Sequence, residues 1–121
     1  MPPGSYEEID LGTYSLAADG VSETWDAGNF QIIAIQVVVT GADAADGAIQ
    51  PESTLIEEDE ATKLGISAYC WDDFELPYTI PAGNSSHTWH VGIYAGKLAR
   101  LRLNSGSNTA GTVKIIGFGK I

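Results

Sequence analysis

Short apolar stretches rich in β-branched and aromatic residues recur from end to end of this 121-residue chain. Glycine, proline, asparagine and aspartate stand between them, and these residues favour turns. Many short strands separated by turn residues are typical of antiparallel all-β proteins. The pattern therefore predicts an antiparallel β-sandwich or jelly roll of about eight strands. Residues 1–121 have the length of a single domain with its own core.

The longest apolar stretch, residues 30–40, is rich in isoleucine and valine on both faces of a strand. This composition predicts a central strand that is covered on both sides. Upstream, residues 10–16 and 21–26 flank Asp19 and Gly20, a dipeptide that favours the positive φ angles of a hairpin turn. We therefore expect two short outer strands joined as a hairpin.

The middle of the chain is acidic and less regular. Residues 48–50 predict a brief strand that ends at Pro51, because proline cannot donate to a strand ladder. Within residues 53–64 the acids come early and Lys63 comes late, which suits one short helix because the order complements the helix dipole. A solvated loop is the alternative interpretation of the same segment.

Five further strands are predicted in the second half, at residues 66–71, 74–80, 86–94, 97–103 and 112–121. In the third of them, His87 and Trp89 take one face while His90 takes the other. The last one carries several apolar residues and must be paired within a sheet, because an exposed edge of that composition would aggregate.

The strand at residues 97–103 alternates sharply. Ala99, Leu101 and Leu103 share one face, and Arg100 and Arg102 share the opposite face. The apolar face is expected in the core. The arginine face is expected to meet water or an acidic neighbour.

The charges of the chain are sorted by position. All sixteen acids lie between Glu7 and Glu75, whereas five of the six bases lie beyond residue 75. Residues 1–75 carry −15 and residues 76–121 carry +5, which gives the net charge of −10. Because opposite potentials align surfaces, the two parts are expected to meet. They meet either inside one fold or between neighbouring copies.

Composition excludes several classes of function. A net charge of −10 argues against nucleic acid as a partner, since that binding relies on lysine and arginine. The longest apolar run is far too short to span a bilayer, so no membrane segment is predicted. The first eight residues lack the basic and apolar stretches of a signal peptide, so we expect synthesis in the cytoplasm without secretion by that route.

No residues nominate a catalytic or metal site. The single cysteine, Cys70, excludes an internal disulfide and a thiolate zinc cluster, and is expected to be a small buried apolar group. His87 and His90 fall on opposite faces of a strand, so they cannot hold one metal together. Asp72 and Asp73 suit a turn better than a convergent carboxylate pair. We therefore predict no enzymatic activity and no cofactor.

Three tryptophans, Trp25, Trp71 and Trp89, have two interpretations. Aromatic side chains of this size usually fill a sandwich core. On the surface, the same side chains would form platforms that stack on sugar rings. A carbohydrate-binding module is therefore the main alternative to a structural protein.

Three segments resemble short β-sandwich proteins of tailed-phage virions. They are residues 37–41 (VVVTG) leading to Asp46 and Gly47, residues 80–87 (IPAGNSSH) and residues 101–113 (LRLNSGSNTAGTV). The resemblance covers about residues 30–121, and the acidic segment at 52–64 departs from it. It implies a non-enzymatic virion component present in many copies, of the capsid-decoration, tail or fibre type.

The sequence thus favours a virion structural protein, made in the host cytoplasm, that assembles with copies of itself or onto a capsid or tail. The expected partners are other copies, with a trimer as the first expectation, and other virion proteins. The predicted interface residues are Lys97, Arg100 and Arg102. Under the alternative function, the partner is a glycan bound at Trp25, Trp71 or Trp89 with nearby acids.

Overall fold

A computed structural model describes residues 6–55, 63, 71–91 and 97–120. Ten strands run through these residues. In chain order they are β1 (Tyr6–Ser15), β2 (Gly20–Val21), β3 (Trp25–Asp26), β4 (Ile32–Ala42), β5 (Gly47–Thr54), β6 (Asp72–Asp73), β7 (Tyr78–Ile80), β8 (Gly83–Val91), β9 (Leu98–Asn104) and β10 (Thr112–Lys120).

The strands form two antiparallel sheets. Sheet A has four strands in the order β1-β10-β4-β8. Sheet B has the order β2-β9-β5-β6, and β3 also pairs with β9 while β7 pairs with β5. The predicted all-β sandwich is therefore confirmed, with two layers of antiparallel strands.

The core lies between the two sheets, and buried side chains alternate along β4, β9 and β10. In β4, every second residue from Ile33 to Val39 is buried. Burying an aliphatic side chain of this size stabilises a fold by about 1.5–3 kcal/mol, so these positions anchor the sandwich. The largest fully buried aliphatic side chains are Leu16, Ile33, Ile35, Val37, Val39, Ile49, Ile80, Leu101, Val113 and Ile115.

The prediction that residues 30–40 are covered on both sides is wrong. β4 is central within sheet A, between β10 and β8. Its second face is open, since Ile32 and Val38 are 43% and 37% exposed. β-Branched residues favour strands whether or not both faces are covered, so composition did not reveal the open face.

The predicted hairpin around Asp19 and Gly20 is also wrong. β1 pairs with β10 in sheet A, whereas β2 and β3 pair with β9 in sheet B. Residues 16–19 therefore carry the chain from one sheet to the other. Most of the later connections cross between the sheets as well, which joins the two layers repeatedly.

Pro51 does not end the strand that contains it. β5 continues to Thr54, and Pro51 lies opposite Leu101 of β9. On the other edge of β5, β7 pairs with residues 47–49 and β6 pairs with residues 52–53. The partner strand on this edge therefore changes at Pro51. Proline is tolerated there because the ladder on that side is interrupted.

Two further predictions, the turn at Asp72 and Asp73 and the start of the helix at residue 53, are also wrong. Asp72 and Asp73, predicted as a turn, form β6 and pair with Glu52 and Ser53. Residues 53–54 belong to β5, so the predicted helix does not begin at 53. The rest of that segment, apart from Leu55 and Lys63, lies outside the described residues, as do Cys70 and most of the strand predicted at 66–71.

The last two strands follow the sequence prediction closely, and β8 begins three residues earlier than the predicted strand at 86–94. β8 buries Trp89 and exposes His90, and β9 buries Ala99, Leu101 and Leu103. β10 is paired on both sides, with β1 and with β4. No helix within the described residues has the length and apolar character needed to span a bilayer.

Candidate functional site

Outside the core, the arginine face of β9 forms a charged cluster on sheet B. The register places Glu52 of β5 directly opposite Arg100. Arg100 Nε donates to Glu52 Oε1 at 3.0 Å, and Arg102 Nε donates to Glu52 Oε2 at 3.2 Å. The Glu52 side chain is only 8% exposed. Two cations therefore compensate one buried carboxylate, which would otherwise be costly to bury.

The two arginines of this cluster differ in exposure. Arg100 is 21% exposed, and its guanidinium lies over the Trp71 ring, 4.1 Å from the centroid. Arg102 is 52% exposed, with Nη2 3.9 Å from Asp73 Oδ1. Arg100 is thus held inside the cluster, whereas Arg102 reaches the surface.

The sorted charges meet inside one chain. Glu52 belongs to the acidic part of the sequence and its two arginines to the basic part. Likewise, Lys114 Nζ of β10 lies 2.6 Å from Asp10 Oδ2 of β1. Of the two alternatives that the sequence left open, contact within one fold is therefore realised at these three bases.

The third predicted interface residue is Lys97, which forms a backbone hydrogen bond with the end of β5. Its backbone N–H donates to the carbonyl oxygen of Thr54 at 3.0 Å, just before β9 begins. Lys97 is half-buried. Of the two arginines, Arg102 has the more exposed side chain.

The three tryptophans do not form a shared surface platform. Trp25 and Trp89 are 3% and 5% exposed, so they have no ring face for a sugar. They belong to the core, and Trp89 Nε1 donates to the Leu76 carbonyl oxygen at 2.8 Å. Trp71 is half-buried under Arg100. The core interpretation is confirmed for Trp25 and Trp89, and the platform prediction is wrong for them.

The two histidines separate as predicted. His87 stacks on Tyr78 with 4.7 Å between ring centroids and meets Trp89 edge to face at 4.8 Å. His90 is exposed on the opposite face. Within the described ranges, no three His, Cys, Asp or Glu side chains come together as a metal-binding group.

A second surface, on the outer face of sheet A, was not predicted. It holds a groove of about 300 Å³ that is open to solvent, here called the sheet A groove. Its lining combines apolar and polar side chains from all four strands: Glu8, Ile32, Ala34, Gln36, Thr88, His90, Ile116 and Phe118. Gln36, which interrupts the apolar run at 30–40, was the sequence signal that this face is not core.

The fold and these two surfaces define a small antiparallel β-sandwich module. No protein-family model and no curated protein sequence matches the chain. The crystal structure of the SPBc2 prophage-derived protein YomS is similar, with a TM-score of 0.57 and 10% sequence identity over 98% of this chain and 96% of that one.

A second similar structure carries the description "CBM4 structure and function". It has a TM-score of 0.53 and 12% identity over 96% of this chain and 71% of that chain. At such identities the similarity establishes a shared fold. The chain therefore has the β-sandwich architecture of a prophage-derived protein and of a carbohydrate-binding module.

Proposed function

We propose that this chain is a non-enzymatic structural protein of a phage particle that assembles with copies of itself or onto a capsid or tail. The fold similarity to a prophage-derived protein over nearly the full length of both chains supports this class. The observation that carries the proposal is the exposed guanidinium of Arg102, which is held in place by a buried carboxylate.

Arg102 is suited to an intermolecular contact because its orientation is set before a partner arrives. The bond from Nε to Glu52 fixes the base of the guanidinium, while half of the side chain remains in solvent. A side chain that is already ordered loses less entropy on binding. Val21 lies opposite Arg102 in the register and is 48% exposed, so an apolar contact adjoins the charge.

The charge balance of the chain supplies the complementary surface. Each copy has sixteen acids and six bases, so it carries many carboxylates that could contact the oriented Arg102 of a neighbouring copy. A contact between Arg102 of one copy and an acidic surface of the next joins different patches and is heterologous. Heterologous contacts close into rings when the rotation permits, which is the geometry of the trimer expected from the sequence.

The test is the mass of the purified protein in solution, measured by light scattering at low and high salt. We expect an oligomer at low salt that dissociates as salt screens the contact. Arg102→Gln should shift the mass toward the monomer. Lys120→Gln is the matched control, since Lys120 is another exposed base outside the cluster, and it should leave the mass unchanged.

Reversing Arg100 together with Arg102 is a poor test. Arg100 compensates the buried Glu52 carboxylate, so its reversal would place two carboxylates in contact and disturb the fold.

A wild-type protein that is monomeric at every concentration, and that does not sediment with phage capsids or tails, would refute the proposal.

A further inference from the structure

The sheet A groove follows from a small residue in the middle of an exposed sheet face. Glu8, Phe118, Ala34 and His90 lie in one row across β1, β10, β4 and β8. Directly paired residues on one face have Cβ atoms about 4.5–5.5 Å apart. Ala34 extends only a methyl group between the larger Phe118 and His90 side chains, so the surface dips at Ala34.

The next row supplies polar groups. Ile116, Gln36 and Thr88 are paired across β10, β4 and β8. None of the polar side chains of the groove, Glu8, Gln36, Thr88 and His90, forms a hydrogen bond or ion pair with another described residue. Within the described part of the chain, their donors and acceptors are therefore unpaired and can serve a ligand.

An aromatic ring is held at the β1 side of the groove. Tyr6 stacks on Phe118 with 5.1 Å between ring centroids and 25° between the planes. Phe118 lines the groove and Tyr6 does not, so Tyr6 supports the Phe118 ring from outside. Three strand spacings separate Glu8 from His90, a distance of about 14 Å, which is enough for more than one sugar ring.

We propose that the sheet A groove binds a neutral oligosaccharide. A sugar ring has apolar C–H faces, which suit Phe118, Ile116 and Ala34, and a rim of hydroxyl groups that both donate and accept hydrogen bonds. Gln36 and Thr88 offer both functions, and Glu8 accepts. The apolar side chains of the groove thus match the C–H faces of a sugar, and its polar side chains match the hydroxyl groups.

Other ligand classes fit the groove less well. A phosphate or nucleic acid would meet the Glu8 carboxylate on a chain of net charge −10. A second copy of the chain would leave the polar side chains of the groove desolvated unless it matched each of them. A neutral oligosaccharide avoids the first cost and satisfies the polar groups one hydroxyl at a time.

The first experiment screens the full-length protein on an array of neutral glucose, galactose, mannose and xylose oligosaccharides. The strongest binder is then titrated into isotope-labelled protein and followed by NMR. We expect amide shifts that saturate and are concentrated in β10, β4 and β8 near Ala34 and Gln36. Absence of binding to every array member at millimolar concentration would overturn the proposal.

Variants locate the site. Ala34→Trp fills the groove from its floor without touching the core, and should weaken affinity by at least about tenfold; Phe118→Ala should cost about tenfold as well. Val38→Trp is the matched control, because Val38 is on the same face of β4 but outside the groove lining. It should leave affinity within about twofold of wild type.

Three outcomes would contradict the groove as the site. The first is unchanged sugar affinity in a folded Ala34→Trp protein, and the second is an equal loss of affinity in Val38→Trp. The third is a set of amide shifts in the groove that grow with protein concentration when no sugar is present, because these would mean that a second copy occupies the groove. If Ala34→Trp does not fold, Gln36→Ala, at an exposed position, replaces it and should lower affinity several-fold.

The site is independent of the proposed assembly function. Arg102→Gln should retain sugar binding, and Ala34→Trp should retain the solution mass of wild type. A loss of both properties in either variant would show that one surface serves both and would refute the separation.

Discussion

Glu52 is the residue on which the outer face of sheet B depends. A buried carboxylate is tolerated only when its charge is compensated and its oxygens are hydrogen-bonded. Arg100 and Arg102 each supply one oxygen of Glu52 with a donor. Because Arg100 is the more buried partner and also covers Trp71, it should contribute more to stability.

We therefore expect Arg100→Ala to lower the free energy of unfolding by about 2–4 kcal/mol. Arg102→Ala should cost no more than about 1 kcal/mol, since solvent screens its half-exposed pair. Urea unfolding of both variants measures the difference. Equal costs would mean that burial of Arg100 adds nothing to the pair.

Gly119 is fixed by a close approach. A Cβ built at this position of β10 would overlap the ring of Phe30, which is buried in the core. Gly119→Ala should displace that ring and cost about 1–3 kcal/mol. Gly20→Ala is the control, because nothing lies within 4 Å of a Cβ there. Thermal unfolding should separate the two variants, and similar melting temperatures would contradict the overlap.

At the scale of elements, the loop between β9 and β10 is tied down by three aspartates from other segments. Asp19 accepts from the Ser105 N–H and hydroxyl group, Asp43 from those of Thr109, and Asp46 from those of Ser107. The loop is polar and turns at Gly106, where φ is +57°. Hydrogen bonds to these carboxylates, and not apolar contacts, therefore hold the loop against the rest of the fold.

These hydrogen bonds make the loop sensitive to acid. Bonds from the side chain and then the backbone N–H of Thr109 lower the pKa of Asp43 below its ordinary 3.8. For Asp46, Ser107 lowers the pKa in the same way, and for Asp19 the backbone N–H of Ser105 contributes most. A lowered folded-state pKa means that stability is present above the ordinary value and is lost as pH falls through the folded value.

We expect the melting temperature to be level above about pH 5 and to fall below about pH 4. Asp43→Asn should melt lower than wild type at neutral pH and lose less on acidification, because one titrating group is gone. Melting curves from pH 2.5 to 7 test this. An Asp43→Asn profile parallel to that of wild type would contradict the role of the carboxylate.

The elements differ in how far the sequence predicted them. β8, β9 and β10 were predicted because alternation, turn residues and strand propensity agree there. The hairpin at Asp19 and Gly20 was wrong, because a turn dipeptide specifies a local reversal and not the sheet in which the next strand pairs. The strand through Pro51 was missed, because its tolerance depends on which partners flank β5.

The candidate sites were predictable in part for the same reason. Alternation placed Arg100 and Arg102 on one face, but their partner Glu52 is about fifty positions earlier and is fixed by the register of β5 and β9. The sheet A groove requires four strands to be aligned before Ala34 is seen between Phe118 and His90. Pairing between distant strands is not encoded in local periodicity.

At the scale of the whole molecule, the two faces of β4 and of β10 have separate roles. Inner side chains of sheet A build the core, whereas outer ones form an exposed surface in which apolar and polar groups mix. Both proposals, assembly through Arg102 on sheet B and sugar binding on sheet A, use outer faces only. Substitutions of Arg102 and of the groove residues should therefore alter binding more than folding, whereas substitution of Arg100 affects folding because it compensates the buried Glu52.

Two adjacent isoleucines of β10 test this division directly. Ile115 is fully buried between the sheets, and Ile116 is half-buried in the floor of the sheet A groove. Ile115→Ala should lower the free energy of unfolding by about 2–5 kcal/mol through the cavity that it leaves. Ile116→Ala should cost about 1 kcal/mol, since much of its surface is already in water.

Sugar titration of the same two proteins completes the comparison. Ile116→Ala should weaken binding several-fold because it removes apolar contact from the groove, whereas folded Ile115→Ala should bind as wild type does. Urea unfolding and NMR titration give both quantities for each variant. A larger stability loss at Ile116, or a larger affinity loss at Ile115, would mean that the two faces of β10 do not divide folding from binding.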